Sequence, residues 1–258
     1  LGVQPVKLFC TPNGEFPHNP EPLKEHLGDL MREVVTQGAD FGIVVDPDVD
    51  RLAFVDEKGE MFGEEYTLVA VADYVLANTS GNTVSNMSSS RALRDITNKH
   101  NGSYTASAVG EVNVVQMMKD TKAVIGGEGN GGIIYPELHY GRDSLVGVAL
   151  FLSHLVEQKT TVSVLRASYP SYFMSKQKIA LTPEIDVDAI LEKMAETYKA
   201  EEITTIDGVK IDFESNWVHL RKSNTEPIIR IYTEAVTQDA ADSLANTIIG
   251  EIKQIAGL

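Results

Sequence analysis

The chain has one cysteine, Cys10, and one tryptophan in 258 residues. A single thiol excludes an intramolecular disulfide and suits a reducing compartment, so the cytoplasm is the expected location. Long hydrophobic runs are missing too. The longest apolar block, Leu145 to Leu152, falls far short of the ~20 residues that cross a bilayer, and no signal peptide opens the sequence. Basic residues are scarce: 22 Lys and Arg stand against 37 Asp and Glu, a net charge of −15. That balance argues against nucleic acid or an anionic membrane surface as a partner. It admits an anionic small molecule only where basic residues are concentrated locally. There are no repeats and no low-complexity run. The sequence starts Leu1-Gly2-Val3, without an initiator Met.

What is present is ordinary for a globular protein, 43% hydrophobic and 23% charged, in a length sufficient for more than one domain. Residues 1–57 read as the C-terminal part of an α/β domain: a strand-like run from Val6 to Cys10, then a helix with Leu23, Leu27, Leu30, Met31 and Val34 at helical spacing and Gly38 as its stop. Residues 58–167 read as a complete three-layer α/β domain. Strands near Thr83, Ser103 and Lys122 alternate with helices at Glu64–Asn78, Arg91–Lys99, Val112–Lys119 and Asp143–Glu157, which implies a parallel or mixed sheet covered on both faces. The last of these helices is apolar enough to be packed inside. Residues 168–258 read as a small α+β domain with four antiparallel strands and two helices, Val187–Tyr198 and Asp239–Ile255, and Asp207-Gly208 marks a hairpin.

One stretch organises the rest. Ile43 to Val45 reads as a buried strand and runs into Asp46-Pro47-Asp48-Val49-Asp50-Arg51. Three carboxylates at alternate positions share one side of an extended chain, or encircle a point if Pro47 turns it. They repel unless a cation or protons lie between them, and hard oxygen ligands from a short loop suit Mg²⁺. An EF-hand is the competing geometry, since Glu57 stands twelfth from Asp46. However, Arg51 occupies the sixth position where that loop needs Gly, and the flanks read as strands.

Two further stretches carry chemistry. In Gly126-Gly127-Glu128-Gly129-Asn130-Gly131-Gly132, glycines allow close backbone approach. Glu128 and Asn130 are the only side chains offered, an acceptor and a mixed donor–acceptor suited to a sugar diol. A plain turn between two strands is the competing reading. Arg221-Lys222-Ser223-Asn224-Thr225-Glu226-Pro227, with Arg230 beyond, gathers cations, hydroxyls and an amide in an acidic chain, the make-up of a phosphate clamp.

These three stretches, in this order, resemble the α-D-phosphohexomutases, the family of phosphoglucomutase, phosphomannomutase and phosphoglucosamine mutase. Asp46 to Arg51 resembles the family's metal loop DGDADR. Gly127 to Gly132 resembles its sugar loop GExSGH, and Arg221 to Pro227 its phosphate loop RxSNTEP. The resemblance implies a four-domain mutase that interconverts hexose 1-phosphate and hexose 6-phosphate, with glucose or mannose as the sugar. A phosphoserine in a TASHNP loop passes its phosphoryl group to the substrate through a bisphosphorylated sugar. It implies that Asp46, Asp48 and Asp50 bind Mg²⁺ and that Arg51 steadies the transferring phosphoryl group. Glu128 and Asn130 would hold sugar hydroxyls; Arg221, Ser223, Asn224 and Thr225 would grip the phosphate that is not reacting, with Arg230 supporting their loop.

The departures carry information. No TASHNP loop occurs in these 258 residues, and Thr105-Ala106-Ser107 lies too far along the chain to serve as one. The expectation is a C-terminal portion whose partners are a hexose phosphate and the missing N-terminal domains, inactive alone and able to self-associate. Pro47 replaces the usual Gly, Asn130 stands where many members have Ser, and Gly132 where many have His. Two rival readings remain in view. A haloacid-dehalogenase-type phosphatase would use Asp46 as nucleophile at the end of a buried strand. A non-catalytic module would only bind a sugar phosphate.

Overall fold

The structure is a computed structural model that describes residues 2–180, 185–223 and 228–257. It divides into two compact units, one through Pro170 and one from Ser171 onward.

In the first unit, helix α1 (Gly28–Gln37) ends at Gly38, whose left-handed backbone closes the helix C-terminus. Strand β1 (Gly42–Val45) then pairs antiparallel with β2 (Leu52–Val55). Every residue of β2 is buried, whereas Ile43 and Val45 of β1 are 39% and 37% exposed. The expectation of a buried β1 is therefore corrected: β1 is one half of a hairpin. The hairpin is anchored from β2, where Phe54 stacks on Phe151 at 3.8 Å between ring centroids and Phe62 meets Phe151 edge-on at 5.2 Å.

A four-stranded sheet follows, in the order β4 (Tyr104–Ser107), β3 (Asn82–Asn86), β5 (Ala123–Glu128), β6 (Gly132–Ile134). The first three strands are parallel and β6 is antiparallel to β5, so the sheet is mixed. Alternation along β3 covers both faces. Val84 packs with Val114 and Met118 of α4 (Glu111–Thr121), while the Thr83 hydroxyl meets that of Thr97 on α3 (Ala92–Lys99) at 2.6 Å. Helix α2 (Glu64–Asn78) is buried on nearly all sides, as its uniform apolarity requires. It lies against α3, β5, β2 and α5 (Ser144–Gln158). Helix α5 is not internal along its whole length, since Leu145 and Val156 are more than 70% exposed. A short helix, α6 (Val162–Ala167), closes the unit. Val6 to Cys10 forms no strand. That N-terminal segment and α1 line a cavity of about 760 Å³, to which none of Asp46, Asp50 or Glu128 contributes.

The second unit is a five-stranded antiparallel sheet, one strand more than expected. Its order is β7 (Phe173–Ala180), β11 (Ile228–Ala235), β10 (Trp217–Lys222), β9 (Val209–Asp212), β8 (Glu202–Thr204). The three-residue edge strand β8 is the first arm of the hairpin that Asp207-Gly208 marks. Helices α7 (Val187–Thr197) and α8 (Gln238–Ala256) bury Ile190, Met194, Ile248 and Ile252 against Ile179, Ile211, Val218, Leu220, Ile229 and Ile231. Asp186 and Thr237 cap the two helices through their side chains.

Candidate functional site

The acidic segment is the turn of the β1–β2 hairpin. Pro47 occupies its second position, where a fixed φ favours a turn, and the Val49 N–H closes it on the Asp46 carbonyl at 3.1 Å. Asp46 holds the turn from inside: its Oδ1 accepts N–H from Asp50 at 3.0 Å and from Arg51 at 2.9 Å. One oxygen from each of Asp46, Asp48 and Asp50 lies within 4.8 Å of the others. Burial, opposed by Arg142 and reinforced by Asp46 and Asp48, raises the Asp50 carboxyl to about 6. Its Oδ1 is buried without a hydrogen-bond partner. An all-oxygen donor set with an orphaned buried oxygen fits a divalent cation. Arg51 lies across the turn, its Nε 3.6 Å from Asp46 and 3.9 Å from Asp50, and its Nη1 3.3 Å from Glu21. Glu57 takes no part and instead binds Thr161 and Ser163 at the start of α6.

The glycine-rich segment is also a hairpin, since β5 continues through Gly126, Gly127 and Glu128 and returns as β6. Gly131 makes the turn with φ +88°, and a Cβ there would collide with the Leu52 carbonyl. The Leu52 N–H donates to the Gly131 carbonyl at 3.1 Å, which joins this hairpin to the start of β2 beside the acidic turn. Asn130 turns its Oδ1 inward to the Gly132 N–H at 3.2 Å, leaving the Nδ2 amide as its remaining donor. Glu128 is 6% exposed and held from both sides. Asn86 Nδ2 donates to Oε1 at 2.9 Å and Arg142 Nη1 to Oε2 at 3.0 Å. Ser89 supports the arrangement: its hydroxyl accepts the Gly129 N–H at 3.0 Å and donates to Asn86 Oδ1 at 3.1 Å.

Arg142 brings the two hairpins together. Its Nη2 pairs with Asp50, its Nη1 with Glu128, and its Nε lies 3.4 Å from Glu111. The turn and α5 are joined as well. Asp143 caps α5 by accepting from Leu145 and Val146, and the Ser144 N–H donates to the Val49 carbonyl at 3.1 Å. None of Asn86, Ser89, Glu111 or Arg142 was marked by motif. The available signal was a lone Arg set directly before a helix-capping Asp in an acidic chain. Ser107 is buried and donates its hydroxyl to the Ala108 carbonyl. His18 Nδ1 lies 2.7 Å from the Asn19 carbonyl within its own loop.

In the second unit, Arg221 leaves the end of β10 with its Nε 2.9 Å from Asp207. Asp207 is fixed in turn by His219, whose Nε2 donates to its carbonyl at 2.7 Å. Burial pushes His219 down to about 4, against the pull of that bond, and Lys210 adds to the fall. Lys222 pairs with Asp188 at 2.7 Å, and the Ser223 N–H donates to the Ile228 carbonyl at 3.1 Å. Asn224 and Thr225 lie outside the described residues. Arg230 stands directly opposite Arg221 on one side and Lys178 on the other. Three cations in one cross-strand row oppose sheet stability. Such a row makes sense as a binding surface for an anion.

Comparison with known proteins gives the same order of parts. Residues 1–59, 63–172 and 177–251 match models of the phosphoglucomutase/phosphomannomutase family: alpha/beta/alpha domain II, alpha/beta/alpha domain III and the C-terminal domain. A phosphoglucomutase/phosphomannomutase of Thermococcus kodakarensis is 38% identical over 93% of this chain and 53% of its own length. A phosphoglucosamine/phosphogalactosamine mutase of Sulfurisphaera tokodaii is 34% identical over 92% and 52%. The chain thus spans about half the length of the curated relatives it matches. The crystal structure of a phosphoglucomutase/phosphomannomutase family protein from Burkholderia thailandensis shares the fold, with a TM-score of 0.78 at 22% identity over 92% of this chain and 52% of that one. The acidic turn, the glycine hairpin and the basic segment fall one apiece in the three matched domains, and the chain belongs to the phosphoglucomutase/phosphomannomutase family, the α-D-phosphohexomutases.

Proposed function

We propose that this chain forms the metal-, sugar- and phosphate-binding parts of a Mg²⁺-dependent mutase that interconverts hexose 1-phosphate and hexose 6-phosphate. Residues 1–57 carry the cation turn, 58–167 the sugar hairpin and 168–258 the phosphate segment. Asp46, Asp48 and Asp50 would hold Mg²⁺, which when bound offsets the charge of a transferring phosphoryl group. Glu128 and Asn130 accept from and donate to sugar hydroxyls. Arg51, beside the acidic turn, meets the phosphoryl oxygens. Arg221, Ser223, Asn224 and Thr225 grip the distal phosphate, with Arg230 behind them. The observation that carries this reading is the junction at Arg142, which sets a cation-type carboxylate and a buried, doubly held glutamate on one guanidinium. A family-type phosphoserine loop is absent from these residues, so the chain by itself binds and does not turn over.

The test offers the purified chain glucose, mannose and glucosamine 1-phosphates, with Mg²⁺ and the matching bisphosphate. Calorimetry with glucose 1,6-bisphosphate is run in parallel on wild type and Arg221→Ala. The expected result is no turnover with any sugar, and weak binding that falls further in the variant. Turnover by this chain would mean that the nucleophile lies within it. Binding unaffected by Arg221→Ala would remove the phosphate assignment.

A further inference from the structure

Arg142 lies outside all three motifs, yet its guanidinium is the point at which two of them meet. We propose that Arg142 is a positioning residue that couples the acidic turn to Glu128, so that a divalent cation taken up by Asp50 alters how Glu128 is presented to a sugar hydroxyl. The coupling rests on the cation reading of the turn given above.

Three features support it. The guanidinium is a rigid planar fork: it donates from Nη2 to Asp50 of the turn and from Nη1 to Glu128 of β5, and its Nε lies 3.4 Å from Glu111 of α4 without a hydrogen bond. A rigid plane hydrogen-bonded to two carboxylates tilts at one when it loosens at the other. The residue is also fixed from behind. Its side chain is 14% exposed, and its own N–H donates to Glu111 Oε1 at 3.0 Å. Arg51, the other cation at the turn, reaches Asp46, Asp50 and Glu21 but not Glu128.

The second feature is Gly132. A Cβ at this position would overlap Arg142 Cδ, so the Arg stem passes through space that any side chain at 132 would fill. The absence of a side chain at 132 is what admits Arg142. The third feature is the division of labour at Asp50. One oxygen is given to Arg142 and the other is buried without a hydrogen-bond partner. A cation at the second oxygen draws charge from the first and weakens the ion pair to Arg142. Glu128 feels this directly, because Asn86 holds only its opposite oxygen.

The experiment uses NMR of ¹³C-labelled side-chain carboxylates, with Mg²⁺ alone as the probe. In wild type, the Asp50 and Glu128 signals are expected to move together with one midpoint. In Arg142→Gln and in Gly132→Ala, the Asp signals still respond; in Arg142→Gln, which removes a cation competing for Asp50, the midpoint falls about tenfold, because a coupling between two sites is reciprocal. Glu128 no longer follows. Arg142→Lys keeps the charge without the fork, so its midpoint is expected to stay near wild type while Glu128 no longer follows. Gly132→Ala leaves every charged group in the sequence and serves if Arg142→Gln folds poorly. If Glu128 stays still in wild type while the Asp signals move, or moves equally in the variants, the coupling is wrong and the cation reading stands. Silence of every carboxylate in wild type overturns both.

Discussion

Glu57 gives the most quantitative handle on how the first unit is held together. Its carboxylate follows β2 and receives the Ser163 N–H at 3.1 Å, the Thr161 hydroxyl at 2.7 Å and the Ser163 hydroxyl. It thus caps a six-residue helix more than 100 positions away. Burial raises the carboxyl, and the bonds from Ser163 and Thr161 outweigh it, holding Glu57 at about 2. Unscreened, such a shift corresponds to about 3 kcal/mol. Glu57 is partly exposed, so solvent screening reduces this to about 1 kcal/mol. Because the folded state depresses the acid, the stabilisation is complete above pH ~4.5 and is lost as pH falls through ~2. Glu57→Gln keeps the shape and removes the charge. It is expected to lower the unfolding free energy by about 1 kcal/mol at pH 7, and the gap from wild type should close between pH 4.5 and 2. Urea unfolding followed by far-ultraviolet circular dichroism at pH 7, 4.5, 3 and 2 measures it. A gap absent at pH 7, or unchanged at pH 2, refutes the reasoning.

Two further predictions concern packing and charge. Phe151→Ala removes the ring against which Phe54 and Phe62 pack and should cost about 3–5 kcal/mol in urea unfolding, whereas Phe151→Leu should cost under about 1.5 kcal/mol. Equal losses would mean that aromatic contact, not filled volume, holds the hairpin. In the second unit, Lys178→Ala removes one cation from the row with Arg230 and Arg221. Stability should hold or rise slightly, while affinity for glucose 6-phosphate falls about tenfold, the scale of one charge-assisted hydrogen bond. Unchanged affinity would remove Lys178 from the phosphate surface.

Much of this architecture was legible in the residues because the signals were local. Helical spacing marks α4, α7 and α8, apolar density marks α2, and Gly38 and Asp207-Gly208 mark a helix end and a hairpin. Where the structure differs, the deciding partners are distant. Val6 to Cys10 looks like a strand but has no strand beside it among the described residues. Helix α6 is too short for periodicity to show and depends on Glu57. At the candidate site, the residue types and spacings of the three segments were readable. The Arg142 junction was not, because its partners Asp50, Glu111 and Glu128 lie 92, 31 and 14 positions away.

The central claim is that the acidic turn and Glu128 serve one ligand, a sugar phosphate beside a divalent cation. A crystal of this chain soaked with Mn²⁺ and glucose 1,6-bisphosphate tests it most directly. The account predicts an anomalous peak bounded by Asp46, Asp48 and Asp50, with sugar hydroxyls on Glu128. Mn²⁺ bound elsewhere, or a sugar seated without Glu128, would contradict it.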